Sequence, residues 1–278
     1  CSGLVGSEMC IRDRKGGVGK TTTTVNLAAS LAAMKKRVLL VDMDPQGNAS
    51  MGSGIDKHQL ERSSCEVLLG DAGVRESVQR AEDAGYDVLP ANADLTAAEV
   101  GLMNTTMREK RLDLALSPVK VDYDYILVDC PPSLNMLTLN ALVAAHGVLI
   151  PIQTEYYALE GLSALMNTID QIRGHLNQRL QIEGFLRTMH DPRNNLAVEV
   201  SGQLLAHFKD AVFNTIIPRN VRVAEAPSHG IPILHYDKSS RGAMAYLALA
   251  SELMRRHRAR DAEQSSDPSE VTEEHYGS

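Results

Sequence analysis

The chain has 278 residues and a formal net charge of −7. Its length is enough to bury a sizeable core and permits one large α/β domain or two small ones, of which we favour one. Six carboxylates in a tail without Lys or Arg, from Asp261 onward, leave about −1 for the body, so composition neither demands nor excludes a nucleic-acid partner.

The sequence argues against disulfide-stabilised, zinc-binding, membrane-spanning and secreted proteins. The four cysteines, at positions 1, 10, 65 and 130, form no CxxC pair and have no His at zinc-finger spacing. This pattern disfavours a disulfide framework or a zinc site and fits a reduced cytosol. No stretch of sequence approaches the roughly 18 consecutive apolar residues of a membrane helix, and the first residues lack a signal-peptide core.

The first segment in chain order, residues 1–14, has little strand character. Only Met9, Cys10 and Ile11 lie directly before a charged triplet at positions 12–14. The glycine-rich loop that follows is normally reached from a buried strand. We therefore predict that this segment is foreign, that it replaces a native first strand, and that nucleotide affinity is reduced as a result.

A glycine-rich loop at residues 15–22 follows and is the most specific signal in the sequence. Its glycines let backbone N–H groups surround phosphate oxygens, while Lys20 reaches the β and γ phosphates and the Thr21 hydroxyl can bind Mg²⁺. Arg14 replaces the first glycine of the general GxxxxGK[ST] pattern, so the loop fits the variant xKGGxGK[ST], for which Lys15 is diagnostic. This predicts an ATPase with phosphate contacts from Lys15, Gly16, Gly17, Val18, Gly19, Lys20, Thr21 and Thr22.

Beyond the loop, short β-branched runs alternate with helical patterns. This alternation predicts an α/β fold of the P-loop NTPase type, with a mostly parallel twisted sheet and helices on both faces. Strands are predicted at 37–41, 86–89, 125–128, 148–151, 182–186 and 212–217. Helices are predicted at 21–34, 95–116, 136–145, 159–175, 197–208 and 241–256. We divide the chain into the atypical segment 1–14, an ATPase domain at 15–256 and an acidic disordered tail at 257–278.

Two carboxylates follow the predicted strand at 37–41. Asp42 and Asp44 stand two residues apart at its carboxyl end, the edge where open α/β sheets bind ligands. In an extended segment they project to the same side. We assign Asp44, which begins a turn-forming DPQGN run, to orienting the attacking water, and Asp42 to holding the water shell of the metal.

A third carboxylate, Asp129, ends the predicted strand at 125–128. An apolar run followed by Asp is the pattern that reaches Mg²⁺ beside a phosphate loop. The stiff turn at 130–133 would report the presence of the γ-phosphate. The predicted metal ligands are Thr21, Asp42 and Asp129, and the predicted catalytic residues are Lys15, Lys20 and Asp44.

These segments resemble those of the ParA/Soj chromosome-partitioning ATPases. The resemblance includes two more runs, YYALEG at 156–161 and IPRNVRVAEAPS at 217–228, and covers residues 15–254. It implies a deviant-Walker ATPase of the MinD/ParA superfamily that forms a dimer around ATP, with Lys15 reaching the phosphates held by the other subunit. The implied dimer binds non-specific duplex DNA, and a ParB-like centromere-binding protein stimulates hydrolysis. Together they drive chromosome or plasmid segregation on the bacterial nucleoid, without a membrane partner.

The resemblance also implies roles for residues outside these motifs. Pro218 and Asn220 would lie against the adenine, while Arg193 and Arg222 match the family's DNA-contacting arginines, with Arg241 as a further candidate. Exposed loops suit phosphate contacts. Because dimerisation doubles the local positive density, we expect DNA binding to require ATP and to weaken with salt.

Three competing functions stay open at this point. A MinD-like ATPase that cycles on membranes shares the loop and both acidic motifs but needs a basic amphipathic C-terminal helix, whereas this tail is acidic. A scaffold that carries iron–sulfur clusters needs paired cysteines late in the chain, and no cysteine follows Cys130. A nucleotide-dependent module that positions a polar cargo, with slow hydrolysis as a timer, is also compatible with the sequence.

Overall fold

The computed structural model describes residues 7–11, 17, 19–103, 105–154 and 158–266. Within these residues the chain forms a single sheet of eight strands. The strands are β1 (Ser7–Ile11), β2 (Val38–Asp42), β3 (Gln79–Ala81), β4 (Tyr86–Leu89), β5 (Tyr125–Asp129), β6 (Gly147–Gln153), β7 (Gln181–His190) and β8 (Val212–Pro218). The α-helices are α1 (Lys20–Ala33), α2 (Asn48–Gly52), α3 (Ser64–Leu69), α4 (Val74–Ser77), α5 (Leu95–Leu102), α6 (Arg111–Leu116), α7 (Met136–Ala144), α8 (Ala158–His175), α9 (Asn195–Phe208), α10 (Val221–Glu225), α11 (Ile233–Tyr236) and α12 (Arg241–Ser266).

The sheet order is β3-β4-β2-β5-β1-β6-β7-β8, and every neighbouring pair is parallel except β3 and β4. Successive side chains of a strand point to opposite faces. Leu39 therefore joins a core that includes α7 and α8, whereas Leu40 joins a core that includes α1 and α12. Burial on both faces explains why the inner strands are almost entirely apolar. The predicted α/β fold with a mostly parallel sheet is confirmed.

The prediction that no strand precedes the phosphate loop is wrong. Residues Ser7–Ile11 form β1, which lies at the centre of the sheet between β5 and β6. Met9 and Ile11 fill the face of the sheet that carries α1. Backbone pairing on both sides and three buried apolar side chains are enough for a strand, even though Glu8 is also buried there. The foreign origin of residues 1–14 stays a prediction.

The helix predicted at 95–116 is interrupted. Helix α5 ends at Leu102, and α6 begins only at Arg111, after a short 3₁₀ turn over Arg108–Lys110. The Thr105 hydroxyl donates to the Leu102 carbonyl at 2.8 Å, a local bond that competes with helix continuation. Met107 then takes a left-handed conformation with φ of 55°, which breaks the helical path.

At the other end of the chain, α12 is longer than predicted and runs to Ser266. The predicted disorder is therefore wrong for residues 257–266, while 267–278 lie outside the described residues. His257 and Arg260 both bind the buried Glu183 of β7, with His257 Nε2 3.0 Å from the carboxylate. This tertiary contact extends the helix past the end of its apolar pattern.

Candidate functional site

The phosphate loop lies where β1 ends and α1 begins. Gly17 and Gly19 have φ values of 81° and 87°, in the left-handed region that favours glycine. Gly19 caps α1, and the first turn of that helix holds no acidic residue. The helix N-terminus therefore presents N–H groups and a positive dipole end to an anion. Lys15, Gly16 and Val18 lie outside the described residues, so their predicted phosphate contacts stay predictions.

The hydroxyl of Thr21 in the first turn of α1 donates to Asp129 Oδ2 at 2.7 Å. Asp129 is fully buried at the end of β5, and its other oxygen accepts from the Thr24 hydroxyl at 3.0 Å. Sequence reasoning placed Thr21 and Asp129 at one metal site, and the structure brings them together. It missed Thr24, although a spacing of three residues on a helix puts its hydroxyl on the same face as Thr21.

The Asp42 side chain is adjacent, because Asp42 of β2 pairs directly with Asp129 of β5. It is fully buried and accepts bonds from the Asp44 N–H at 3.1 Å and from the Ser50 N–H and hydroxyl at 2.9 and 2.8 Å. Ser50 was not predicted, since a serine in a short helix carries no distinctive pattern. Asp44 is half-buried, starts the turn after β2, and accepts from the Gln46 N–H at 2.9 Å.

Burial is the main influence on both inner carboxylates and raises their pKa values. For Asp129 the negative charge of Asp42 raises the pKa further, while the bonds from Thr21 and Thr24 oppose the rise. Two neighbouring buried carboxylates and a hydroxyl are hard oxygen donors of the kind that Mg²⁺ prefers, and a cation there would offset their repulsion. The residues present therefore fit a magnesium site.

The predicted adenine contacts lie at the end of β8 and just after it. Pro218 is the last residue of that strand and pairs with His190 of β7. Asn220 caps α10: its Oδ1 accepts from the N–H groups of Arg222 at 2.8 Å and Val223 at 3.3 Å. The cap fixes the turn, and the contact with adenine stays a prediction.

The candidate DNA-contacting arginines follow the last strands of the sheet: Arg193 lies in the loop after β7, Arg222 in the short helix α10 after β8, and Arg241 at the start of α12. Arg193 has an 88% exposed side chain and a bidentate pair with Asp191, at 3.0 and 2.9 Å. Arg222 is also exposed and pairs with Glu225 at 3.1 Å. Arg241 is exposed at the start of α12. The acidic partners hold the first two guanidinium groups in place but also reduce the local positive potential.

Two observations concern the rest of the chain. No helix in the described ranges is both long enough and apolar enough to cross a membrane. The YYALEG run at 156–161 lies largely outside the described residues. Residues 155–157 are not described, and of residues 158–161 only the backbone is described.

Comparison with known proteins gives consistent matches. The family model described as an AAA domain matches residues 6–182. The chain is 53% identical over 249 residues to the sporulation initiation inhibitor protein Soj of Bacillus subtilis, covering 90% of this chain and 98% of that protein. It is 54% identical over 252 residues to the chromosome partitioning protein ParA of Myxococcus xanthus, covering 91% and 89%. A solved structure of a cobyrinic acid a,c-diamide synthase from Mycobacterium smegmatis, with bound ADP and magnesium, is 35% identical with a TM-score of 0.81, covering 92% and 96%.

Proposed function

Because the chain belongs to the ParA/Soj family of chromosome-partitioning ATPases, we propose that it segregates chromosomes or plasmids through an ATP-driven cycle of DNA binding. It is a P-loop ATP hydrolase. The observation that best supports the proposed chemistry is the 2.7 Å contact between Thr21 and Asp129 beneath the phosphate loop. That contact joins a helix N-terminus to a buried carboxylate at the ligand-binding edge of the sheet.

In hydrolysis, Lys20 and the N–H groups that open α1 hold the phosphates of ATP. Thr21, Asp129 and Asp42 would hold Mg²⁺, which when bound neutralises charge on the β and γ phosphates. Asp44, half-buried at the sheet edge, orients the attacking water. Lys15 reaches the phosphates of the partner subunit in the ATP dimer. Catalysis then rests on positioning and charge stabilisation rather than on covalent chemistry.

For DNA, we propose that Arg193, Arg222 and Arg241 bind backbone phosphates without reading sequence. Their exposure suits such contacts, with Arg193 on a loop, Arg222 in the short helix α10 and Arg241 at the start of α12. Two copies in an ATP dimer bring twice the number of arginines to one duplex, so affinity rises steeply when the dimer forms. Each phosphate contact releases counterions, and affinity should fall as salt rises.

We further propose a ParB-like centromere-binding partner that stimulates hydrolysis and so releases the protein from DNA. The names of the relatives, which are 53% and 54% identical to this chain, support a role in partition. The site of action would be the nucleoid in the bacterial cytoplasm. A second candidate function is the nucleotide-dependent positioning of a polar cargo, with slow hydrolysis as a timer. Capture of cargo with and without DNA would distinguish this function from partition.

A synthase function and a membrane-cycling function are less well supported. The structure that carries a synthase name is 35% identical to this chain, well below the partition proteins. A membrane-binding helix needs a free cationic face, yet Arg256 of α12 donates to the Val212 carbonyl at 2.7 Å and Arg260 binds Glu183. These inward contacts remove two arginines of α12 from lipid binding.

The test is binding to non-specific duplex DNA, measured with ATP, ADP or no nucleotide at low and moderate salt. We expect ATP-dependent, salt-sensitive binding that is lost in the double variant Arg193→Ala/Arg222→Ala. Arg37→Ala is the matched control, because Arg37 is as exposed as Arg222 and is also ion-paired. Arg37 lies just before the first residue of β2, away from the carboxyl ends of the strands where the candidate site lies. Tight ATP binding without any affinity for DNA would refute the proposed function.

A further inference from the structure

Met189, near the end of β7, has a backbone conformation that its position does not explain. Its φ of 50° lies in the left-handed region, which L side chains rarely adopt. Among the described residues, the other two non-glycine residues with positive φ, Lys35 and Met107, lie in turns. Met189 instead lies within a strand, where the β7–β8 pairing shifts register between Arg187 and His190. Surrounding contacts must hold such a conformation in place.

The Met189 side chain lies beside the phosphate loop. Its terminal methyl carbon, Cε, lies 3.8 Å from the position that a Cβ on Gly19 would occupy. The thioether side chain is therefore a close neighbour of the glycine that caps α1. Because a phosphate would be bound by N–H groups of this same loop, Met189 lies next to the part of the loop that fixes a nucleotide.

The residues that follow Met189 lead to both candidate arginines. The His190 carbonyl accepts the Arg219 N–H at 3.1 Å, which ties the turn before α10, the helix that carries Arg222, to this strand. The loop of Arg193 begins at the next residue, Asp191, whose carboxylate holds the Arg193 guanidinium. A rotation at Met189 would therefore move the turn before α10 and the Arg193 loop together.

We infer that Met189 is a positioning residue that couples nucleotide binding at Gly19 to the placement of Arg193 and Arg222, an inference that rests on the proposed function. The left-handed and extended regions are two discrete backbone states, and they direct the following residues differently. The side chain stabilises the left-handed state while it packs against the phosphate loop. A nucleotide bound beside Gly19 thereby favours one of the two backbone states of Met189, and with it one placement of Arg193 and Arg222.

The experiment measures the affinity for ATPγS, and for a non-specific duplex with and without ATPγS, in the full chain at low salt. The ratio of the two DNA dissociation constants gives a coupling factor. In Met189→Ala we expect ATPγS affinity to change less than about twofold and the coupling factor to fall at least about fivefold, within the range of typical allosteric couplings. Met189→Leu, which retains an apolar side chain of similar size, should keep most of the coupling.

Met103→Ala is the matched control, since Met103 is an exposed methionine at the end of α5, and it should not alter coupling. Dimer formation with ATPγS, followed by light scattering, should be retained in Met189→Ala. Wild-type coupling in Met189→Ala would overturn the inference, as would loss of ATPγS binding or of the dimer. A wild-type protein whose DNA affinity ignores ATPγS would instead overturn the proposed function, and this inference with it.

Discussion

Replacing Glu8 by glutamine should stabilise the protein at pH 8 and change its stability little at pH 5. Glu8 is fully buried in β1, the central strand of the sheet. The Lys120 ammonium lies 3.0 Å from Glu8 Oε1, but neither Glu8 oxygen has a well-directed hydrogen bond among the described residues. Lys120 also binds Asp113 at 2.8 Å, so it keeps a partner when the charge of Glu8 is removed.

The magnitude follows from the pKa of Glu8. Burial raises this pKa from 4.5 to about 7, against the opposing charge of Lys120. A raised carboxyl pKa in the folded state means that stability is fully present below the unfolded pKa and is lost as pH rises through 7. The shift corresponds to about 3 kcal/mol of lost stability at pH 8 and less than about 1 kcal/mol at pH 5. Glutamine, which does not ionise, avoids this loss.

Urea unfolding between pH 5 and 8 measures the effect directly. Far-UV circular dichroism is the suitable probe, because the chain contains no tryptophan. Both proteins share the remaining titrating groups, so the difference between their unfolding free energies reports Glu8 together with the two groups that face it, Lys120 and His146. The exposed Glu76 is the control: Glu76→Gln should leave stability unchanged at every pH.

A difference between Glu8→Gln and wild type that does not vary with pH would refute the reasoning. Lower stability of Glu8→Gln at pH 8 would also refute it, because the ion pair with Lys120 would then stabilise the fold. Glu8→Val should raise the free energy of unfolding by about 1 to 2 kcal/mol more than Glu8→Gln does. In the valine variant an apolar side chain, of the kind that central parallel strands carry, replaces a buried amide.

Three further predictions concern the site and the C-terminal helix. Lys20→Ala should abolish ATP binding in an equilibrium nucleotide assay, whereas Asp44→Ala should bind ATP and remain on DNA as a dimer; loss of DNA binding in Asp44→Ala would contradict its assignment to the water. Ser50→Ala should cost about 1 to 3 kcal/mol in thermal unfolding and lower the ATPase rate, because the hydroxyl both holds Asp42 and accepts a backbone N–H. Burial alone would raise the pKa of Glu183, but hydrogen bonds from His257 and Arg260 hold it at about 2, so its stabilising effect is present above pH 4.5 and lost toward pH 2. Glu183→Gln should therefore lose about 3 kcal/mol at pH 7 and show a flatter acid unfolding profile.

The parts of the fold with strong local patterns were predictable. The strands β2 and β5 are largely apolar runs buried on both faces, and the bounds of β2, β4 and β5 lie within one residue of the prediction. The glycine loop and Asp129 were predictable because phosphate and metal chemistry restrict the residue types at those positions. Local sequence is enough to predict an element or a site residue where a single physical requirement, such as burial or phosphate binding, restricts the residue type at that position.

Two failures have a different cause, since β1 and the end of α12 depend on residues far away in sequence. Strand β1 is held by pairing with β5 and β6, and its own apolar run is too short to predict it. The end of α12 is fixed by Glu183, 74 residues before His257. The three-residue strand β3 has two exposed polar residues and pairs only with β4 in the described sheet. No periodicity within a single segment reports such contacts.

The central place of β1 also has a consequence for synthesis on the ribosome. Ser7 pairs with Tyr125, and Met9 pairs with Gly147, so the strand leaves the ribosome well before either neighbour exists. At typical elongation rates, roughly 10 seconds pass before both neighbours are made. During that time the phosphate loop has no sheet to attach to, and closing such long-range pairs is slow. Nucleotide binding therefore cannot assist folding until the middle of the chain has emerged, and a chaperone that shields the nascent N-terminal half would increase the yield of folded protein.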